Sequence, residues 1–455
     1  MTTNQKNIHN KPLACVVLAA GQGTRMKSSL PKVLHPVAGE PMICHSTRIC
    51  EKLSADKITV VIAPDMEAVE RAVAPYPCVI QTKPLGTGDA VKAAMPHLEG
   101  FEGDVLVLFG DTPLLTAESI ARLCDKKAET DASIVVAGFL PDDPGAYGRL
   151  LVAADGSLES IVEAADATPE QKKVKLCNGG IMLFEAQALR TLLPRLQANN
   201  SKGEYYLTDC VELANKQGFK VSCTTIANDD VRGVNTRAHL AEVEAVMQDR
   251  LRQQHMAEGV TMIDPQSVFL RVDTIFGRDV VIESNVVFGA NVIVKDNVKI
   301  LSFSYLEGVM IEKSAVIGPF ARIGVGSTVG EKAEIGNFVE LKKTKVSSGA
   351  KIKHLSYIGM ADIGEKANIG AGTITCNYDG FFKSRTVIGK RAFIGSNSAL
   401  VAPVSIGDEA IVAAGSVITK NVPANALGFA RAAQKVKEGW ALLYRKNQEA
   451  KKRGA

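Results

Sequence analysis

Between Ile275 and Pro423 an aliphatic residue returns every six positions. The series runs Ile311, Ile317, Ile323, Val329, Ile335 and Leu341. It resumes at Ile363 and Ile369, and again at Ile388, Ile394, Leu400, Ile406, Val412 and Ile418. Glycine often follows, as at Gly318, Gly324, Gly330, Gly364, Gly389 and Gly407. A period of six matches neither the 3.6-residue turn of a helix nor the alternation of a lone hairpin. It matches a β-solenoid whose coil has flat faces about six residues wide. The aliphatic side chain then enters a shared apolar column, and glycine permits corner conformations that a Cβ would forbid. No coil buries its own inner face, so stability must come from stacking. Fourteen positions on this spacing argue against chance pairs in an ordinary β domain.

The repeat is similar to that of the hexapeptide-repeat acyltransferases. That resemblance implies a left-handed parallel β-helix and a homotrimer. The period alone does not set the hand, since ordinary parallel crossovers are right-handed.

Upstream, apolar runs alternate with helical patterns. Leu13–Ala20, Lys57–Ala63 and Asp104–Phe109 read as buried strands, with helices over Pro41–Leu53, Asp65–Val73 and Gly88–Leu98. This predicts an α/β domain with a doubly wound, mostly parallel, Rossmann-like sheet and ligands at the carboxyl ends of its strands. The alternation stops near Asn235, which can cap a helix reaching about Met256. Its apolar positions Leu240, Val243, Met247 and Leu251 follow helical spacing. It reads as an arm between two domains, or as a last helix packed on the first. The expected boundaries are 1–234 for the α/β domain, 235–258 for the linker helix and 259–455 for the solenoid with its C-terminal cap. Residues 1 to 11 are polar and expected to be disordered.

Composition narrows the class. A net charge of +4 is too weak to argue for nucleic acid, and part of it sits at Lys451, Lys452 and Arg453. Nine cysteines without a CxxC pair read as small apolar residues in a reducing compartment. No apolar run reaches the roughly 18 residues of a membrane span, and the N-terminus lacks the apolar core of a signal peptide. The expectation is a cytoplasmic protein with neither nucleic acid nor membrane as partner.

Two constellations carry chemistry. In the first, Leu18-Ala19-Ala20-Gly21-Gln22-Gly23-Thr24-Arg25 completes a strand and runs into a loop, and Lys32 follows. Glycines let backbone N–H groups approach phosphate oxygens, and Arg25 and Lys32 supply cationic donors. The loop lacks the GKS/T ending of a Walker motif. Gln81 and Leu85-Gly86-Thr87-Gly88 offer polar groups suited to the imide edge of uracil. Phe109-Gly110-Asp111 ends a strand in a carboxylate, a natural Mg2+ ligand, which Asn235 could complete. Gly148, Glu163 and Asn178 could line a sugar pocket. Singly, each has a plainer reading: Asp111 as the cap of a helix over Pro113–Leu123, Gly148 as a turn residue, Asn235 as a helix cap.

In the second, the sixes are interrupted at Lys353–Gly359 and at Thr375–Lys383. Insertions in repeat proteins usually mark a binding face. His354 is the candidate for removing a proton from an amine, a task that the imidazole side chain suits, although a lone histidine is often structural. Cys376 offers a covalent acyl-thiol route, but direct transfer from a thioester needs no second nucleophile.

The N-terminal string with its downstream lysine resembles the sugar-nucleotide nucleotidyltransferases. With the solenoid added, the chain from about Leu13 to Trp440 resembles the bacterial family of bifunctional N-acetylglucosamine-1-phosphate uridylyltransferases and glucosamine-1-phosphate N-acetyltransferases. The resemblance implies synthesis of UDP-N-acetylglucosamine for peptidoglycan and lipopolysaccharide, from glucosamine-1-phosphate, acetyl-CoA and UTP by way of N-acetylglucosamine-1-phosphate. It implies that Leu18, Ala19, Ala20, Gly21, Lys32, Gln81, Gly86, Thr87, Phe109, Gly110, Asp111, Gly148, Glu163, Asn178 and Asn235 bind the nucleotide sugar. Arg25 would act on the phosphates, and Asp111 and Asn235 would hold Mg2+. In the solenoid it implies His354 as proton acceptor and Lys342, Tyr357, Asn368 and Lys383 around the sugar phosphate. Acetyl-CoA would meet Ala371, Asn377, Tyr378, Ser396, Ala414 and Arg431. This chain departs from the family pattern at Gly324, where an arginine binds the phosphate, and at Gly179, where Thr or Ser is usual. The solenoid before Ile317 also looks short. Two alternatives remain: a thymidylyl- or adenylyltransferase with a solenoid tail, and a non-catalytic subunit keeping both folds.

Overall fold

A computed structural model describes residues 11–453, so the N-terminal stretch expected to be disordered lies outside the described residues save Lys11. The chain divides into two compact units after Leu251.

In the first unit the strands are ordered Val221–Thr225, Ile134–Phe139, Cys177–Glu185, Asp104–Phe109, Leu13–Leu18, Lys57–Ile62, Cys78–Ile80. Leu13–Leu18 is parallel to both its neighbours. Cys177–Glu185 runs antiparallel to both of its own. The sheet is therefore mixed, as expected of a mostly parallel one, and its strands are buried on both faces. From Leu13–Leu18 the chain builds outward on one side, then returns to lay Asp104–Phe109 on the other. That reversal is a topological switch point, where a crevice opens beyond the strand ends. The expected helices appear at Met42–Lys52, Glu67–Val73 and Thr87–Ala94, the last continued by a 3-10 turn over Met95–Leu98.

The division between units falls inside the helix Arg237–Ala257. On the first unit, Val243 is buried with Met26, Val37, Met42, Leu114 and Val234, and Leu240 and Met247 pack against them.

The second unit is a left-handed parallel β-helix: short strands stack into three parallel sheets of ten, eight and eight. Every sixth side chain enters the interior, so Ile317, Ile323, Ile335, Ile352, Ile358 and Ile394 are fully or almost fully buried. Coils begin at Thr261–Met262, and the spacing holds upstream through Ile282, Phe288, Val294 and Ile300. The solenoid before Ile317 is therefore longer than the Ile-Gly signal suggested, because glycine is mostly missing there while the aliphatic column continues.

The glycines serve a purpose other than the one expected. At Gly364 the backbone is ordinary, but an added Cβ would lie 2.4 Å from the Gly389 carbonyl carbon. These glycines let coils approach closely. The positive-φ corners fall largely on other residues, including Asn285, Asn291, Phe303, Phe320 and Phe338. At one corner Phe303, Phe320 and Phe338 stack, with centroids 4.9 and 5.1 Å apart; each stack offsets part of the αL strain.

Among the described residues, no helix is long and apolar enough to cross a membrane. The nine cysteines are all unpaired thiols, and burial pushes Cys210 up to about 12. Cys15, Cys50, Cys177 and Cys210 are buried in the core of the first unit, and the other five are half-buried.

Candidate active sites

The switch-point crevice is a cavity of about 290 Å³. Leu18, Ala19, Ala20, Gly21, Lys32, Gln81, Gly86, Thr87, Phe109 and Asp111 all line it. Their convergence follows from the sheet, since Leu18 and Phe109 are register partners at its carboxyl edge. Gly21 has open space around it, as a backbone approached by a ligand requires. Gly23 has φ 61°, and a Cβ there would lie 2.5 Å from Lys32 Cβ, so its glycine lets the loop lean on Lys32. Gln81 is buried and donates its side-chain NH2 to Gly86 O (3.0 Å) and Asp89 (2.9 Å). The amide oxygen is the group it can offer a ligand. Gly110 does not line the cavity; it packs behind Ala19 and Val33, which do, and a Cβ there would be 2.7 Å from Ile43 Cδ1.

At the cavity's polar end Lys32 Nζ bonds Asp111 and lies 3.3 Å from Asn235 Oδ1. Arg25 donates to the same Asn235 oxygen at 3.0 Å. Two oxygens thus converge on one cation position. Neither residue serves as a cap. The helix after Asp111 starts at Ala117 and is capped by Thr116, whose hydroxyl accepts from Ser119 N–H. The helix after Asn235 is capped by Thr236, whose hydroxyl accepts from His239 N–H at 3.2 Å. The expected Asn235 cap is therefore corrected: Thr236 takes the helix end, and Asn235 is left for the site. The pair suits Mg2+, which is usually held by one or two protein oxygens together with water and substrate phosphates. Among the described residues no cluster of three or more His, Cys, Asp or Glu could hold a metal alone.

Gly148, Glu163 and Asn178 form a second group. Asn178 N–H donates to Gly148 O at 2.8 Å, and a Cβ on Gly148 would sit 3.4 Å from Glu163 Oε1. Phe109 connects this group to the cavity, because its ring lies against Gly180, whose added Cβ would be 2.8 Å from the ring. Burial raises the Glu163 carboxyl above its ordinary value; Asp166 and Asp209 push the same way and Lys202 opposes them. Gly179 packs against Val231, 2.8 Å from an added Cβ, so the larger residue usual there has no room in this packing.

One segment escaped the sequence reading. Glu204 lines the cavity, Tyr205 N–H donates to Leu85 O at 2.7 Å, and Gly88 N–H donates to Tyr205 O at 2.8 Å. Leu207 N–H donates to the Thr87 hydroxyl at 3.0 Å. Nothing local in the sequence ties this segment to a loop more than 100 residues earlier.

In the solenoid, the register places His354, Ala371, Ser396 and Ala414 at the same corner position of successive coils. At a rung spacing of about 4.8 Å, they form a track suited to an extended ligand. Arg431 closes its far end, donating to Ala414 O at 3.0 Å. Tyr378 and Lys383 belong to the inserted loop, with Lys383 Nζ 6.0 Å from the Tyr378 ring centroid. Asn377 is buried at the loop's base, and its carbonyl accepts from Ser384 N–H at 2.8 Å. Lys342, Tyr357 and Asn368 lie on adjoining coils, and among the described residues none of them bonds His354. Gly324 sits one coil from Lys342, with an added Cβ 3.9 Å from Lys342 Cγ. The His354 ring bonds Asn337, 2.6 Å away on the preceding coil. Asn337 was not expected from the sequence, because three sixes back from His354 fall on Gly336 and the two partners are 17 residues apart.

Residues 15–174 match the MobA-like NTP transferase domain, and residues 385–420 match the hexapeptide repeat of succinyl-transferase. The chain is 54% identical over 443 residues to the bifunctional protein GlmU of Paramagnetospirillum magneticum, covering 97% of this chain and 98% of that one. It is 50% identical over 439 residues to the protein of the same name from Azorhizobium caulinodans, covering 96% and 98%. For that of Acidiphilium cryptum the identity is 51% over 434 residues, covering 95% and 98%.

Proposed function

The chain belongs to the family of bifunctional GlmU proteins, and from that premise we propose how its residues divide two transfer reactions. It is an enzyme of UDP-N-acetylglucosamine synthesis with acetyltransferase and uridylyltransferase activities. The acetyl group moves first, from acetyl-CoA to glucosamine-1-phosphate in the solenoid. The uridylyl group then moves from UTP to N-acetylglucosamine-1-phosphate in the α/β unit, releasing pyrophosphate.

In the α/β unit the sugar phosphate attacks the α-phosphorus of UTP. A phosphate monoester has its second pKa at about 6, so the nucleophile is already largely dianionic and needs no base. The residues must align two anions and screen their charge. Lys32 and Arg25 do this through their cationic donors. Gln81, Gly86 and Thr87 hold the base, and Gly148, Glu163 and Asn178 the sugar. Asp111 and Asn235 would hold Mg2+, which supplies charge neutralisation to the phosphates when bound.

In the solenoid His354 takes a proton from the glucosamine nitrogen as it attacks the thioester carbonyl. The C–N bond forms, the C–S bond breaks, and coenzyme A leaves as a thiolate that the proton can neutralise. The Asn377 amide steadies the developing oxyanion. Lys342, Tyr357, Asn368 and Lys383 hold the sugar phosphate, while Ala371, Tyr378, Ser396, Ala414 and Arg431 hold the coenzyme. A homotrimer in the cytoplasm fits the exposed apolar surface of Phe381, Phe382, Trp440, Leu442 and Leu443, which a second copy would cover.

The observation carrying this reading is that one chain holds both the hydrogen-bonded group Arg25, Lys32, Asp111 and Asn235 at a switch point and a corner track beginning at His354. A two-substrate assay on the purified chain tests it. Acetylation of glucosamine-1-phosphate and pyrophosphate release from UTP are both expected; absence of either one overturns the assignment of its site.

A further inference from the structure

We infer that Asn337 is a positioning residue for acetyl transfer, holding the His354 imidazole in the tautomer whose Nε2 is free to accept a proton. This rests on the reading of His354 as proton acceptor.

Asn337 and His354 are register partners on adjacent coils. Leu355 N–H donates to Asn337 O at 3.0 Å, so the backbones are clamped where the side chains meet. Asn337 Oδ1 lies 2.6 Å from His354 Nδ1. An amide oxygen only accepts, so Nδ1 must carry the ring proton. A neutral imidazole has one such proton, which leaves the lone pair on Nε2. The opposite tautomer would set a lone pair against the amide oxygen and present an N–H to the amine. Among the described residues this is the one hydrogen bond the exposed ring makes; without it the ring is free to turn and exchange tautomers.

Two neighbours sharpen the assignment. Gly336 permits the approach, because a Cβ there would lie 2.0 Å from Lys353 O. The closest carboxylate on the Asn337 strand, Glu334, is bound by Lys353 at 2.5 Å and Lys351 at 3.5 Å. The ring is therefore oriented by a neutral amide rather than by a carboxylate. Loss of the orientation removes part of the roughly 10²- to 10⁴-fold that a positioned general base contributes.

The test uses the full-length chain and the variants Asn337→Ala, Asn337→Asp and His354→Ala. Asn337→Ala is expected to lower kcat for acetyl transfer about 10- to 100-fold, a part of the roughly 10²- to 10⁴-fold that a general base contributes, with KM for both substrates nearly unchanged. Uridylyl transfer and the melting temperature should not change. Asn337→Asp restores most of kcat, since a carboxylate also accepts from Nδ1–H. Nitrogen NMR of 15N-histidine-labelled protein, assigned with His354→Ala, should show the Nδ1–H tautomer at His354 and its loss in Asn337→Ala. Wild-type kcat in Asn337→Ala, an Nε2–H tautomer in the parent, or failure of Asn337→Asp to restore kcat in a normally melting protein would each overturn the inference. Acetyl transfer persisting in His354→Ala would instead overturn the base assignment itself.

Discussion

In the α/β unit, the residues around the cation position come from three separated stretches: Arg25 with Lys32, Asp111, and Asn235. Arg25 and Asn235, which share a hydrogen bond, stand 210 residues apart. In the solenoid, Asn337, His354, Ala371, Ser396 and Ala414 follow one another a coil at a time along one corner. The first site exists because a sheet reverses its winding and brings unrelated strand ends to one edge. The second exists because a repeat is translated along an axis, so neighbours in space are one period apart in the chain. A solenoid can therefore gain or lose a coil outside the run from Asn337 to Ala414 without unmaking that track. The α/β site depends on every long connection at once.

The comparison can be broken most directly by crossed substitutions. Asp111→Ala should lower uridylyl transfer by more than about 100-fold, since even outer partners of a metal cost up to that much, and leave acetyl transfer intact. His354→Ala should lower acetyl transfer about 10²- to 10⁴-fold and spare uridylyl transfer. Loss of both activities in either folded variant would mean that the sites are not independent. Next in size is stability. Ile335→Ala in the solenoid interior should cost about 2–5 kcal/mol. Urea unfolding followed through each activity should show acetyl transfer failing at lower denaturant while uridylyl transfer keeps its midpoint.

A smaller effect is expected at Gly324. Gly324→Arg adds a charged donor beside Lys342 and should lower KM for glucosamine-1-phosphate about tenfold, on the order of one charge-assisted hydrogen bond. KM for acetyl-CoA should stay constant; an equal change in both would place Gly324 away from the sugar phosphate. The smallest concerns Glu163. Its carboxyl is held above the unfolded value by burial, so the stability it lends is complete below the unfolded pKa, about 4.3, and is lost as pH rises through the folded one. The melting temperature of Glu163→Gln relative to the parent should therefore rise from pH 4 to pH 7. A flat difference would show that the carboxyl is not desolvated.

Much of this was legible in the chain because repetition and alternation are local signals. Six-residue spacing marked the interior column at Ile317, Ile335 and Ile394 without any knowledge of long-range contacts. Strand–helix alternation placed Leu18 and Asp111 at strand ends. The reason for the glycines was not legible: whether Gly364 turns a corner or admits the next coil depends on how closely coils stack. Nor was the helix cap, because Thr236 and Asn235 are both capable and only the packed cation site takes Asn235 out of competition.

What the sequence by itself determined is the kind of structure each half adopts and the residues able to carry charge or a proton, since periodicity and side-chain chemistry are properties of the chain. What only the tertiary structure decided is partnership. Glu204 at the cavity wall, Asn235 beside Lys32 and Asn337 against His354 are contacts between segments whose local sequences do not mention each other. They arise where sheet order and coil register bring backbones together, and those are set by packing of the whole unit.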